Sequence, residues 1–100
     1  MKPVKIRVVI DGIRYDTEKA EIIADDCYWD GHNWERNGRN TFLYKTQNGR
    51  YFVVKQTLWQ GEIDRLEPLT VDEAIILYEQ LHEKYVEFED AFPGVEVEEA

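Results

Sequence analysis

One hundred residues, 43% apolar and 13% aromatic, suffice for one domain with one hydrophobic core, are too few for two, and argue against disorder over most of the chain. No apolar run approaches the roughly 18 residues needed to cross a bilayer, so no membrane partner is expected. The formal net charge of −9 is unevenly placed: residues 1–66 hold eleven Lys/Arg against ten Asp/Glu, whereas residues 67–100 hold eleven Asp/Glu against Lys84 alone. Such a field repels nucleic acid phosphates and attracts a basic surface.

The first ten residues lack the long apolar stretch of a signal peptide. Lys5-Ile6-Arg7-Val8-Val9-Ile10 is β-branched and partly alternating, which predicts a strand. Asp11-Gly12 is a hairpin turn signal, with Ile13-Arg14-Tyr15 as the returning strand. Asp16 or Thr17 can cap a short helix over 18–24, where Ala20, Ile23 and Ala24 share a face; Ile22 does not, so the end of this segment could instead run extended. Residues 25–40 form a long polar, aromatic-rich loop containing Trp29 and Trp34, either a lid on the core or a partner contact.

Residues 41–56 carry the clearest hairpin. A two-residue Asn48-Gly49 turn would set Tyr44 against Val53. A three-residue Gln47-Asn48-Gly49 loop with Gly49 left-handed sets Tyr44 against Phe52 and Phe42 against Val54, and it makes one fully apolar face, so it is the expected register. The other face, Leu43 with Val53 and Lys45 with Tyr51, is expected to be half covered. A turn near Gln60-Gly61 leads to a strand over 62–66, with Ile63 first and Leu66 second as candidates to face the core, ended by Pro68. Thr70 and Glu73 form a capping box, and apolar residues at Ala74, Leu77, Tyr78, Leu81, Tyr85 and Phe88 predict a helix over about 71–88. Pro93-Gly94 stops it. The expected fold is therefore α+β over residues 1–92: an antiparallel three- to four-stranded sheet, packed on one face by a long C-terminal helix, with a short helix after the first strands and an acidic tail over 93–100.

On one continuous helix, Asp72, Glu79, Glu83, Glu87 and Asp90 would form a single stripe of carboxylates. Glu79, Glu83 and Glu87 repel one another at the four-residue spacing, at a few tenths of a kcal/mol per pair. Such a stripe imitates the phosphate spacing of a nucleic acid, or simply keeps the surface solvated. Catalytic patterns are missing: the chain has no Ser, no GxGxxG and no GxxxxGK[ST]. Asp25, Asp26, Asp30 and His32 lie near one another, and His82 near Glu79 and Glu83, but no spacing typical of a metal site links them. The lone Cys27 excludes an internal disulfide and a cysteine-based zinc site. A cytoplasmic protein with no catalytic residue, no metal and no cofactor is expected. Direct nucleic acid binding through Arg36, Arg39, Lys45, Arg50 and Lys55 is disfavoured by the acidic last third.

The run Ile10-Asp11-Gly12-Ile13-Arg14-Tyr15-Asp16-Thr17-Glu18-Lys19-Ala20, the hairpin Leu43-Tyr44-Lys45-Thr46…Gly49-Arg50-Tyr51-Phe52 and the helix entry Pro68-Leu69-Thr70-Val71-Asp72-Glu73-Ala74 occur in that order. Over residues 8–80 they resemble a group of small proteins from phages and mobile elements of bacteria. The wider class of small acidic mobile-element proteins includes anti-CRISPR proteins, which bind a Cas effector and block its use of guide RNA or target DNA. The resemblance implies a stoichiometric inhibitor with a protein partner bearing a basic nucleic-acid-binding surface. It carries over no contact residue, because 29–40 is aromatic and basic where a Gly-rich stretch is expected. The expected contacts are the carboxylate stripe, with Trp29, Trp34 and Trp59 as apolar anchors. The alternative is a small acidic adaptor or regulator, for which a homodimer built on the hairpin would speak.

Overall fold

The computed structural model describes residues 3–26 and 39–100. Its strands are β1 (Arg7–Ile10), β2 (Ile13–Asp16), β3 (Ala20–Asp25), β4 (Arg39–Thr46), β5 (Tyr51–Thr57), β6 (Arg65–Leu69) and β7 (Glu83–Lys84). A 3-10 turn spans Thr17–Lys19, and the helices are α1 (Val71–Gln80) and α2 (Phe88–Ala91). The fold is α+β. Strands β1 and β2 make a separate two-stranded hairpin, and the other five form one antiparallel sheet in the order β6-β5-β4-β3-β7.

The β4–β5 hairpin is the centre of the sheet. Gly49 is left-handed at φ 79°, and the three-residue loop closes through Thr46 N–H to the Arg50 carbonyl (2.8 Å) and Gly49 N–H to the Thr46 carbonyl (3.0 Å). The register is Phe42 with Val54, Leu43 with Val53, Tyr44 with Phe52 and Lys45 with Tyr51, as the uniform apolar face requires. That face packs beneath the β1–β2 hairpin: Tyr15, Phe42, Tyr44, Phe52 and Val54 are buried together, flanked by Val4, Ile6, Val8, Ile10 and Ile13. Tyr44 stacks on Phe52 at 4.8 Å between ring centroids, and Tyr15 meets Phe52 edge-on at 5.6 Å. The small hairpin turns at Asp11-Gly12, both at positive φ (52° and 76°), the geometry in which a two-residue turn matches strand twist.

The opposite face is covered over Leu43, Tyr51 and Val53 and left open toward Lys55 and Arg39. Leu43, Tyr51, Ile23 and Ala24 pack against Ala74, Tyr78 and Leu81 of the α1 layer and against Ala91 and Phe92. Tyr51 stacks on Phe92 at 4.9 Å and its hydroxyl donates to the Ala91 carbonyl at 2.5 Å. The molecule therefore has three layers, and Tyr51, Phe52, Val53 and Val54 are all buried because successive side chains enter different cores. The middle of the hairpin is thus enclosed on both faces.

Three further expectations are corrected. Residues 20–25 are strand β3, not a helix: Ile22 faces the core under the small hairpin and Ile23 the core under α1, with a register shift between Ile22 and Ala24. Pro68 does not end β6 but lies within it, opposite Phe52 at the sheet edge, where a missing donor is tolerated; Ile63 lies outside the core. The long helix is also absent. The capping box does start α1, with Glu73 N–H bonding Thr70 Oγ1 and Thr70 N–H bonding Glu73 Oε1, but the helix stops at Gln80. Leu81 turns extended and buried, and Glu83–Lys84 pairs with Asp25 and Ala24 on the open edge of β3. This path trades helical hydrogen bonds for sheet ones and removes the four-residue stacking of Glu79, Glu83 and Glu87 that a continuous helix imposes. Residues 95–100 have no regular structure and are exposed.

Because Phe52 is fully buried between Tyr15 and Tyr44, Phe52→Ala should destabilise the fold by about 3–5 kcal/mol. Urea unfolding followed by circular dichroism measures this, and the loss should far exceed that of Arg50→Ala on the exposed hairpin shoulder.

Candidate functional site

The five carboxylates expected on one helix lie on several elements. Asp72 is exposed in the first turn of α1 and Glu79 in its last turn. Glu83 is half-buried in β7 opposite Asp25, Glu87 stands exposed at the N-cap position of α2 without a side-chain cap bond, and Asp90 is exposed within α2. They do not make a row of phosphate-like spacing. All but Glu83, which lies in the sheet, belong to the α1 and α2 segments, as does Glu89, and the exposed Glu96, Glu98 and Glu99 follow in the tail. Among the described residues, ion pairs join Lys5 to Glu18, Arg7 to Asp16, Arg39 to Glu62 and Lys55 to Glu67, and none engages a carboxylate after Glu67. The layer's field reaches inward: burial first, and then the charges of Glu87 and Glu89, push the Tyr78 phenol above its ordinary pKa. Lys45 crosses from β4 to donate to the Asp90 carbonyl at 2.9 Å, a main-chain contact that leaves the carboxylate outward.

A second surface lies at the opposite end of the β4–β5 hairpin. Arg39, Thr41, Lys55, Thr57 and Arg65 belong to the strand positions that alternate with Phe42 and Val54, so they occupy the α1 side of the sheet beyond the helix. With Gly61, Glu62 and Ile63 they line an open cleft of about 520 Å³. The connection over 58–64 is held by its own polar groups. Arg39 grips Glu62 through two bonds, Nε to Oε1 at 3.2 Å and Nη2 to Oε2 at 2.7 Å. Thr57 donates its hydroxyl to Glu62 Oε1 at 2.5 Å and its backbone N–H to Asp64 Oδ1 at 2.8 Å. Trp59 N–H bonds Thr57 Oγ1 at 3.0 Å, and the Arg39 guanidinium sits 5.5 Å from the Trp59 ring centroid.

With its polar groups bonded to one another at the surface, this loop also presents Leu58 (71% exposed), Trp59 (52%) and Ile63 (79%) to solvent. Of the three expected tryptophan anchors, Trp59 is thus displayed on an ordered loop, while Trp29 and Trp34 lie outside the described residues. Sequence reasoning missed the loop network because Arg39 and Glu62 are 23 positions apart. The available signal was the three acceptors Thr57, Glu62 and Asp64 crowded around Gly61. At the base of segment 27–38, Asp26 Oδ1 accepts from Thr41 N–H (2.8 Å) and Asn40 Nδ2 (3.1 Å).

Among the described residues no three His, Cys, Asp or Glu side chains gather as a metal site would require, and no helix is long and apolar enough to cross a membrane. Comparison of the chain with family models, curated proteins and solved structures produced no match.

Glu62 is held below the usual carboxylate range, first by the Arg39 hydrogen bond and then by that from Thr57. A carboxylate with a depressed folded pKa contributes order above its unfolded pKa and loses that contribution as pH falls through the folded value. The 58–64 loop should therefore stay intact at neutral pH and loosen only in acid below the ordinary Glu range. An NMR titration should place the Glu62 midpoint below the ordinary Glu range, and Arg39→Ala should move it upward.

Proposed function

We propose that this chain acts by stoichiometric binding to a protein that carries a basic nucleic-acid-binding surface, as an anti-CRISPR-like inhibitor that keeps a Cas effector from its guide RNA or target DNA. The observation that supports the reading is the acidic α1–α2 layer, whose exposed carboxylates lack ion-pair partners among the described residues. Unpaired like charge repels itself and is relieved when a positively charged receptor covers it.

The choice of a Cas effector comes from the resemblance over residues 8–80, and the sign of the partner's surface comes from the charge. With the carboxylates distributed over α1, β7 and α2, the mechanism is complementarity between two charged surfaces, not imitation of phosphate spacing along a helix. Trp59, exposed on an ordered loop, supplies an apolar anchor that slows release once contact is made. The same loop favours a second reading, a small acidic adaptor or regulator whose main contact is apolar.

A mobility assay of target DNA with a guide-loaded Cas effector tests the proposal. Preincubation with the protein should abolish the shifted band near one equivalent per effector. The triple variant Glu79→Lys, Glu87→Lys, Asp90→Lys, all at exposed positions, should weaken inhibition at least tenfold while its thermal midpoint stays close to that of the parent. Full inhibition by the variant would remove the electrostatic mechanism. Absence of inhibition across effector types, with Trp59→Ala abolishing capture of some other protein, would favour the adaptor.

A further inference from the structure

We propose that β6 is a self-association edge, through which two copies of this chain join by antiparallel pairing of Arg65–Leu69 about a two-fold axis at Leu66. The inference is independent of the inhibitor reading and begins with backbone direction. In the β4–β5 hairpin Thr46 N–H bonds the Arg50 carbonyl, so the alternate residues Phe52, Val54 and Gln56 of β5 turn their amides toward β4. Tyr51, Val53 and Lys55 turn toward β6, where their partners are Leu69, Glu67 and Arg65. Leu66 and Pro68 therefore direct their main-chain groups away from the sheet. Pro68 has no donor to lose on that side, and its carbonyl remains a good acceptor.

Among the described residues β6 pairs only with β5, so this row of main-chain groups is an open edge. Placing the axis at Leu66 forms two Leu66 N–H to Leu66 carbonyl bonds between the copies. Continued by two residues, it offers two more from Asp64 N–H to the Pro68 carbonyl. The same register sets Arg65 of each copy directly opposite Glu67 of the other. These are non-hydrogen-bonded positions, where side chains approach most closely, and opposite charges there are favourable. Two positions further on, Ile63 meets Leu69. Ile63 is 79% exposed in one copy and Leu69 is half-buried, so the contact covers apolar surface that the single chain leaves bare.

Natural edges resist such pairing with charged side chains and with Pro; here Pro68 keeps its outward acceptor and the charges are of opposite sign. Arg65 and Glu67, two residues apart with the axis between them, are complementary to their own image. The strand also carries no net charge, in a chain of net charge −9 whose surfaces otherwise repel one another. The opposite edge offers less: β7 is two residues long, Glu83–Lys84.

Sedimentation velocity and light scattering of the full chain should give twice the 11.9 kDa monomer mass. Arg65→Glu alone places Glu opposite Glu, and Glu67→Arg alone places Arg opposite Arg, so each variant should halve the mass while its circular dichroism matches the parent. Mixing the two variants in equal amounts should restore the doubled mass, because every cross-strand pair in the mixed dimer is again Arg with Glu. Amide exchange at Leu66 should slow in the parent and quicken in either variant. A monomeric parent, or a mixture of folded variants that remains monomeric, would overturn the proposal.

Discussion

The register of the β4–β5 hairpin governs the rest of the molecule. Both faces of this pair are buried over residues 42–44 and 51–54, so a slip of one residue would exchange Phe42, Tyr44, Phe52 and Val54 with Leu43, Tyr51 and Val53 between two cores of different shape. The three-residue loop ending in Gly49 sets that register locally, and each layer then has a surface prepared for it. The β1–β2 hairpin covers the aromatic face. Helices α1 and α2 cover the other, with Tyr51 and Phe92 stacked at the contact. A domain of this size has little burial to spare, and using both faces of one hairpin lets one hundred residues enclose fifteen largely buried apolar side chains among those described.

The same layering places the charge. The last third of the chain supplies α1 and α2, which form an outer layer, and β7, which adds to the sheet edge, so its apolar residues are drawn to the sheet and most of its carboxylates are left facing water. Charge segregation along the sequence becomes segregation in space. At the far end of the hairpin the pattern differs, since Arg39, Lys55 and Arg65 are set among Glu62, Asp64 and Glu67. That end is electrically balanced and locally ordered, and it displays apolar side chains. The molecule thus offers one surface suited to attraction at a distance and another suited to short-range contact.

Features decided by neighbours in sequence were legible. The Asp11-Gly12 turn, the Gln47–Gly49 loop and the Thr70/Glu73 capping box each satisfy a local backbone requirement, and each is present where the residues place it. Features decided by distant partners were not. Residues 20–25 become a strand because β4 offers an edge and because Ile22 and Ile23 each find a different core. The apolar spacing of Leu81, Tyr85 and Phe88 suits a helix as well as the observed path, and only the vacant edge of β3, more than fifty residues earlier, decides between them. Of the candidate site, the acidic character of the last third could be read directly from composition. Its single-helix arrangement could not, since it depended on that same distant choice. The ordered loop around Trp59 rests on the Arg39–Glu62 pair, which no short-range pattern announces.

Central to this account is the proposal that the unpaired carboxylates carried by α1 and α2 draw the chain onto a positively charged receptor. The most direct measurement is the association rate with a guide-loaded Cas effector as ionic strength rises, followed by stopped-flow fluorescence. The account predicts that the association rate falls steeply with salt while the dissociation rate changes little. An association rate indifferent to salt would contradict it.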